Sequence, residues 1–552
     1  MPNIKKFIMN YKYLLPIVLV GFLLRIIYVS NLDFYYDEAS HAMGQKALIE
    51  KGTSPWDTVN WQPPLYSYTA SILTRILGLS EFSFRLTSVI FGTLTIVLVY
   101  YLGNLLYNKK IGLLAAILLA VSPLHVVYSR TAFSDVFHTF FIVLTILTME
   151  FLILKNPNGR YTMVLVLLSG MLSAVAFLIK YNTLIPLGIY WIFILGRAML
   201  KHKKNIFKKY FVYMILINIM ALITSIFIIL LTGGISRLVL LIHNVLLSAL
   251  LQFEQFANPS YYTFLVLFEG LSPLIALLVP LGIIYILLHK ERNRNDYLVV
   301  FFVLAYIILF LLQTRRLARH LVMIFPFLMI MLSRFFTLFV SRVAYAKKHL
   351  NFVLLFLLLI LSSLGWSIYE INKTSGFHVW TELADYIKKN YPEEITVHGS
   401  LHKNRFIGYY IRNADNHELV TSLKKGDLVI FTWLYNNTTI MENSPFEDNV
   451  MTYRKKRSEF SSEFISYVTK HGELIKTFEY KQGTAAWLYE IKSTDRNVKD
   501  AVKEDPFAKT SLFGVWNIVC KVWNKENIRV YIEKITSRDY ALAIQIKCKS
   551  LT

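Results

Sequence analysis

The chain has 552 residues, 55% hydrophobic and 15% aromatic, and 58 Lys and Arg against 35 Asp and Glu give it a formal charge of +23. Uncharged runs of about 20 residues recur along it, which excludes a soluble globular protein and indicates a polytopic membrane protein. The charge does not point to nucleic acid: residues 1–374 carry 32 basic and 13 acidic residues (+19) and residues 375–552 carry 26 and 22 (+4), so the basic excess lies between apolar runs, as orientation signals do.

In chain order, the first segment, MPNIKKFIMNYKYLLPIVLVGFLLRIIYVS, has a basic start, an apolar run and no small-residue cleavage site, and reads as a retained first span. Arg25, near the outer end of that span, is expected to snorkel to the interface. Taking about 20 apolar residues per crossing, further spans are expected near 83–106, 112–129, 134–154, 161–179, 183–199, 210–232, 263–288, 297–313, 320–341 and 350–370, eleven in all with the first at 13–30. The basic loops NYK, NKK, KNPNGR, RAMLKHKKNIFKK, HKERNR and RVAYAKKH fall on alternating connections and place the N-terminus in the cytoplasm. Residues 233–262 would spoil this balance as a span, and are expected to lie as an amphipathic or re-entrant segment on the outer face.

From residue 375 the periodicity becomes that of a soluble domain. WTELADYIKKNY is helix-like, whereas DLVIFTW, ELIKTFEY and AAWLYEI are strand-like. The expected fold class is therefore an α-helical polytopic membrane protein of about eleven helices, residues 1–374, followed by an extracytoplasmic α/β or α+β domain, residues 375–552. The expected location is the plasma membrane. Cys520 and Cys548 can form one disulfide if the C-terminal end is extracytoplasmic, and no metal-ligand spacing surrounds them.

On this topology the polar residues of the outer face converge. The first outer loop contains DFYYDEASHA, with Asp33, Tyr36, Asp37, Glu38 and His41, and WQPPLYSY, with Gln62. The second contains YSRTAFSD, with Arg130 and Asp135; KYNT adds Lys180 and Tyr181, the amphipathic segment adds His243, and QTRRLARH adds Arg315, Arg319 and His320. The bland reading of Asp37 and Glu38 is a solvated loop start. Adjacent carboxylates repel, however, and burying both calls for a cation, a proton or a metal. Those are also the needs of a general base beside a divalent ion, Mg or Mn, with Asp37 and Asp135 as its ligands. Three arginines in QTRRLARH oppose the orientation rule. They are either lipid-headgroup contacts or, with Lys180, forks for a phosphate.

In this order of features the chain resembles the C-superfold membrane glycosyltransferases, specifically the polyprenyl-phosphate-sugar-dependent group that includes protein O-mannosyltransferases and the lipid A aminoarabinose transferase. The stretches LLRIIYVSNLDFYYDEASHAMGQKALIEKG, WQPPLYSYTASILTRILGLSEFSFRLTSVIFGTLTIVLVYYLGNLLYNKKIGLLAAILLAVSPLHVVYSRTAFSD, FLIKYNTLIPL and RLARHLVMIFPFL carry the resemblance, over roughly the first 340 residues. It implies transfer of a sugar, with inversion, from a polyprenyl-phosphate donor in the bilayer to an acceptor hydroxyl on a glycan, lipid or protein. It implies Asp37 as base with Glu38 as its companion, Asp135 as the second-loop acid, and Lys180, Arg319 and His320 on the donor phosphate. Gln62 stands where the family often has His before the double proline, and the WWDYG block of oligosaccharyltransferases is absent. The alternative is a transporter or a lipid or glycolipid flippase with an extracytoplasmic binding domain. That class is expected to show paired half-sequences and Gly/Pro-broken spans, neither of which is read here.

Overall fold

The computed structural model describes residues 12–31, 33–34, 36–58, 63–155, 157, 159–200, 204–234, 261–312, 318–344, 349–374, 378–392, 395–398, 414–415, 423–432, 462–480, 483–493, 528–529 and 549–550, with isolated positions between 237 and 245. The helical part opens with α1 (Leu14–Ile26), then α2 (Tyr36–Lys51), the single turn α3 (Pro55–Thr58) and α4 (Leu65–Leu77). Long helices follow: α5 (Glu81–Leu106), α6 (Lys109–Ala120) with the short α7 (Pro123–Tyr128), α8 (Ser134–Lys155), α9 (Arg160–Ile179), α10 (Leu184–Leu200) and α11 (Lys204–Gly233). The bundle ends with α12 (Tyr261–Leu271), α13 (Pro273–Leu288), α14 (Arg294–Leu312), a 3₁₀ turn at Ala318–Ile324, α15 (Phe325–Ala344) and α16 (His349–Thr374).

Among the described residues eight helices are long and apolar enough to cross a membrane, and α1 and α13 are shorter apolar helices. Two expected spans are broken. The run at 112–129 divides into α6 and α7 at Ser122–Pro123, and the run at 263–288 divides at Ser272, whose φ is +73°, before Pro273. Proline lacks the N–H that would continue a helix and disfavours the helical region for the residue before it, so these interruptions lie where the sequence places Pro. This corrects the expectation of unbroken spans.

Burial sorts the helices into layers. The apolar window of Ala318–Val340 is 89% buried and lies at the centre, whereas that of α11 is 17% buried, so α11 faces the surroundings. The centre is packed tightly enough for backbones to touch. A Cβ at Gly112 would lie 2.5 Å from the Tyr100 carbonyl oxygen, and one at Gly103 would lie 2.9 Å from Gly112 Cα. The α5–α6 hairpin is thereby closed to backbone contact at Gly103 and Gly112.

Arg25 corrects another expectation. It does not snorkel: its guanidinium is wholly buried and donates to the carbonyls of Gly21 (2.7 Å), Ala120 (3.0 Å) and Leu119 (3.3 Å), to Ser129 Oγ (3.2 Å) and to His125 Nδ1 (2.9 Å). Ser363 and Ser367 both donate to the Val121 carbonyl at 2.8 Å. The carbonyls orphaned by the break at Ser122–Pro123 are thus satisfied by a cation and two hydroxyls, as helix C-termini require away from water.

The C-terminal part holds α17 (Val379–Asn390), β1 (Val397–His398), β2 (Ala414–Asp415), β3 (Leu428–Thr432), α18 (Ser462–His471), β4 (Gly472–Tyr480) and β5 (Gly483–Ile491). These strands form one mixed sheet in the order β2-β1-β3-β5-β4, parallel across β2, β1 and β3 and antiparallel across β3, β5 and β4. Leu423, Val429, Tyr467, Val468 and Ile491 pack as its small core. The helix-like stretch and all three strand-like stretches read from the sequence coincide with α17, β3, β4 and β5. Cys520, Cys548 and most of 233–262 lie outside the described residues.

Gly112→Val should force the α5–α6 backbones apart and cost about 1–3 kcal/mol. Gly188→Ala, inside α10 where a Cβ meets nothing within 4 Å, should instead raise stability by about 0.5–1 kcal/mol. Thermal unfolding of the two purified variants in detergent checks both outcomes.

Candidate active site

The site is built where the starts of α2, α5 and α8 meet the end of α9. Asp37 occupies the first turn of α2 and its side chain lies outside the described residues, as do the side chain of Tyr36 and the whole of Gln62, His243 and Arg315. Glu38, the next residue, is wholly buried and forms a two-pronged pair with Arg85 at the start of α5, Nε to Oε1 and Nη2 to Oε2, each 3.0 Å. Arg85 also donates to the carbonyls of Val29 (2.8 Å) and Asp33 (3.1 Å), and the Ala132 amide donates to Glu38 Oε1. One buried ion pair therefore ties the exit of α1, the start of α2 and the loop before α8 into a single unit. A planar guanidinium fork suits this task because it fixes direction as well as distance.

The second focus is Asp135, in the first turn of α8, where the helix N-terminus favours a carboxylate. Its Oδ1 accepts from the Lys180 ammonium. Lys180 itself is an extended residue, φ −157° and ψ 129°, between the end of α9 and the 3₁₀ turn at Tyr181–Thr183, so the break in helix turns its side chain towards α8. Arg319 lies 5.1 Å over the ring of Phe133, two residues before Asp135, and Tyr306 Oη donates to the His320 carbonyl at 3.0 Å. Asp135, Lys180 and Arg319 are buried, at 7–8% exposure, and Glu38 is wholly buried.

The remaining sequence-derived residues are distributed around this focus. His41 is buried against the Tyr66 ring (5.2 Å) with its Nδ1 3.5 Å from Ser67 Oγ, and so lines the α2–α4 contact. Arg130 turns to the end of α1 and donates to the carbonyls of Leu24 and Ile27. Tyr181 packs with Trp56, Leu178 and Ile229; Trp56 Nε1 donates to Thr232 Oγ1 (3.1 Å), fastening the first loop to the end of α11. Burial pushes the Tyr66 phenol well above its ordinary range, so it stays neutral, and its hydroxyl meets Ser88 Oγ at 3.2 Å.

Sequence reasoning missed Arg85, and also His138, whose Nε2 lies 2.7 Å from Thr183 Oγ1 beneath Lys180. It missed two ion pairs at the opposite end of the bundle: Arg294–Glu150 (2.9 Å) and Arg334–Asp296 (2.9 Å). The signal was present, because an ionisable residue inside an apolar run requires a partner. Arg294 had been read as an orientation charge only. As for a divalent ion, no group of three His, Cys, Asp or Glu among the described residues is arranged to hold one. Glu38 has both oxygens on Arg85 and Asp135 accepts from Lys180; of the expected metal pair Asp37 and Asp135, the Asp37 side chain lies outside the described residues.

Comparison with known proteins fits this geometry. Residues 61–230 match the family of dolichyl-phosphate-mannose-protein mannosyltransferases, a stretch that includes Arg85, Asp135 and Lys180 and begins after Asp37 and Glu38. ArnT from Cupriavidus metallidurans, solved with undecaprenyl phosphate bound, superposes with a TM-score of 0.61 over 87% of this chain and 98% of its own, at 12% identity. The chain shares the fold of ArnT over nearly its whole length. The oligosaccharyltransferase AglB from Archaeoglobus fulgidus, in complex with an inhibitory peptide and a dolichol-phosphate, superposes with a TM-score of 0.51 over 74% of this chain and 64% of its own, at 13% identity. No curated protein matches the chain in sequence. The first loop and the α7–α8 loop of this chain, separate in sequence, are joined by Glu38.

Arg85→Met should leave the Glu38 charge buried and unpaired, at a cost of about 3–5 kcal/mol. Adding Glu38→Gln should recover part of that loss, because the double variant buries no charge. Melting temperatures of wild type, both single variants and the double variant give the coupling directly.

Proposed function

We propose that this protein transfers a sugar from a polyprenyl-phosphate donor to an acceptor hydroxyl, with inversion, at the membrane face that carries the sheet domain. The observation that carries the reading is the superposition over 98% of ArnT, a protein solved with undecaprenyl phosphate, together with two cations beside the start of α8, Lys180 on Asp135 and Arg319 over Phe133. That face is extracytoplasmic and the N-terminus cytoplasmic, in keeping with the alternation of basic loops. The sheet domain is accordingly a soluble extracytoplasmic module.

The chemistry follows from what each bond requires. The acceptor oxygen attacks the anomeric carbon, the bond from that carbon to the phosphate oxygen breaks, and polyprenyl phosphate departs with the electron pair. The acceptor proton passes to Asp37, the carboxylate at the start of α2. The leaving phosphate gathers charge as the bond opens and needs fixed cations, which Lys180 and Arg319 supply in a site shielded from bulk water. Lys180 has three donors, so it can hold Asp135 and a phosphate oxygen together. Asp135 keeps the ammonium aimed, and Glu38 keeps the α2 start against the Asp135 loop. The exposed apolar face of α11 and its neighbours provides the lipid-facing surface along which a polyprenyl chain can lie.

Asp37→Asn should lower turnover about 10²- to 10⁴-fold while donor binding persists, because it removes the base and nearly keeps the shape. Lys180→Met should instead weaken donor binding. Sugar release from radiolabelled polyprenyl-phosphate monosaccharides by the protein in lipid separates the two. Failure of wild type to bind or consume any such donor would overturn the reaction.

A further inference from the structure

The sheet domain is joined to the bundle by a helix cap supplied in trans. The N-cap residue of α17, His378, gives its helix no side-chain acceptor. Asp33, 348 positions before Thr381, fills that role: its Oδ2 accepts from the Thr381 amide at 3.2 Å and its Oδ1 from Thr381 Oγ1 at 2.5 Å. Thr381 is the third helical residue, where an N-cap carboxylate ordinarily bonds, and the charge also meets the positive end of the helix. His378 adds a second tie, Nε2 to Asn31 Oδ1 at 3.0 Å.

Both ends of this tie are rigid. α17 belongs to the sheet domain, with the Tyr386 ring 6.0 Å from that of Phe478 on β4. On the bundle side, the Asp33 carbonyl is held by Arg85 Nη2 and the neighbouring Phe34 ring lies 5.1 Å from the same guanidinium. Arg85 thus grips the backbone of Asp33 and the side chain of Glu38, the two residues that bracket Asp37. Beside the cap a cavity of about 270 Å³ lies between α2 and α17, lined by charged residues of both, among them Lys46, Glu50, Asp385 and Lys388, and by Leu79, Thr381 and Ala384.

We propose that Asp33 is a positioning residue: by capping α17 it sets the start of α2, and with it Asp37, at a distance and angle determined by the sheet domain. This rests on the reading of Asp37 as the base of the transfer. A shift of the sheet domain, as on binding an acceptor, is then felt four residues from the reacting group, where small displacements are costly.

The test uses the full chain in lipid nanodiscs with a polyprenyl-phosphate sugar. Thr381→Val removes the hydroxyl from the sheet-domain side and leaves the first loop intact; Thr381→Ser retains it. We expect kcat to fall about tenfold in Thr381→Val with the donor KM within about twofold, and Thr381→Ser to match wild type. Adding Asp33→Asn to Thr381→Val should lower kcat no further than the weaker single variant. Hydrogen exchange over residues 33–42 should rise about fivefold in Thr381→Val with α5 unchanged. A lowered melting temperature with unchanged kcat, or unchanged exchange over 33–42, overturns the positioning role. If wild type transfers no sugar, the reaction itself is overturned, and the exchange measurement still separates a linked α2 from an unlinked one.

Discussion

The structure depends on the buried pair between Glu38 and Arg85. Two charges removed from water are tolerated only because every prong of the fork is used: Glu38 takes two guanidinium bonds and an amide, and Arg85 adds two backbone carbonyls. The consequence is architectural. Three segments that leave the bundle at different heights, the ends of α1 and α7 and the start of α2, are held to one point on α5. Without it the Asp37 turn and the Asp135 loop would be separate surface features.

The same economy recurs at other breaks in the helices. Where Pro123 stops α6, the exposed carbonyls are met by Arg25 and by Ser363 and Ser367 of α16. Where α9 stops, Lys180 turns to Asp135 and Thr183 meets His138. Where α17 begins, Asp33 supplies the acceptor that His378 does not. Within the bundle, away from water, each interruption must find a partner inside the protein, so each becomes a junction between distant segments. The functional groups lie at such junctions because irregular backbone is confined to them.

Much of the site was legible from residue types. DFYYDEASHA and YSRTAFSD announced themselves as acids at span boundaries, and KYNT as a lone cation between two spans. What was not legible was the pairing. Glu38 and Asp37 are neighbours in sequence and equal in chemistry, and periodicity gives no reason for one to face Arg85. Arg25 reads like an interfacial arginine until the orphaned carbonyls of Leu119 and Ala120, some 95 residues away, are placed beside it. Arg294 likewise reads as a loop charge, and its acid, Glu150, lies on α8; Arg334, within α15, pairs with Asp296 at the start of α14.

By itself, then, the sequence determined the membrane class, most helix positions and four of the regular elements after residue 375, because these depend on local hydrophobic period and on the length of apolar runs. Tertiary structure decided which charges pair, where the two broken spans are mended, and that the sheet domain is capped by Asp33. Those outcomes depend on distances between segments up to 348 residues apart, and such distances are set only when the whole bundle packs.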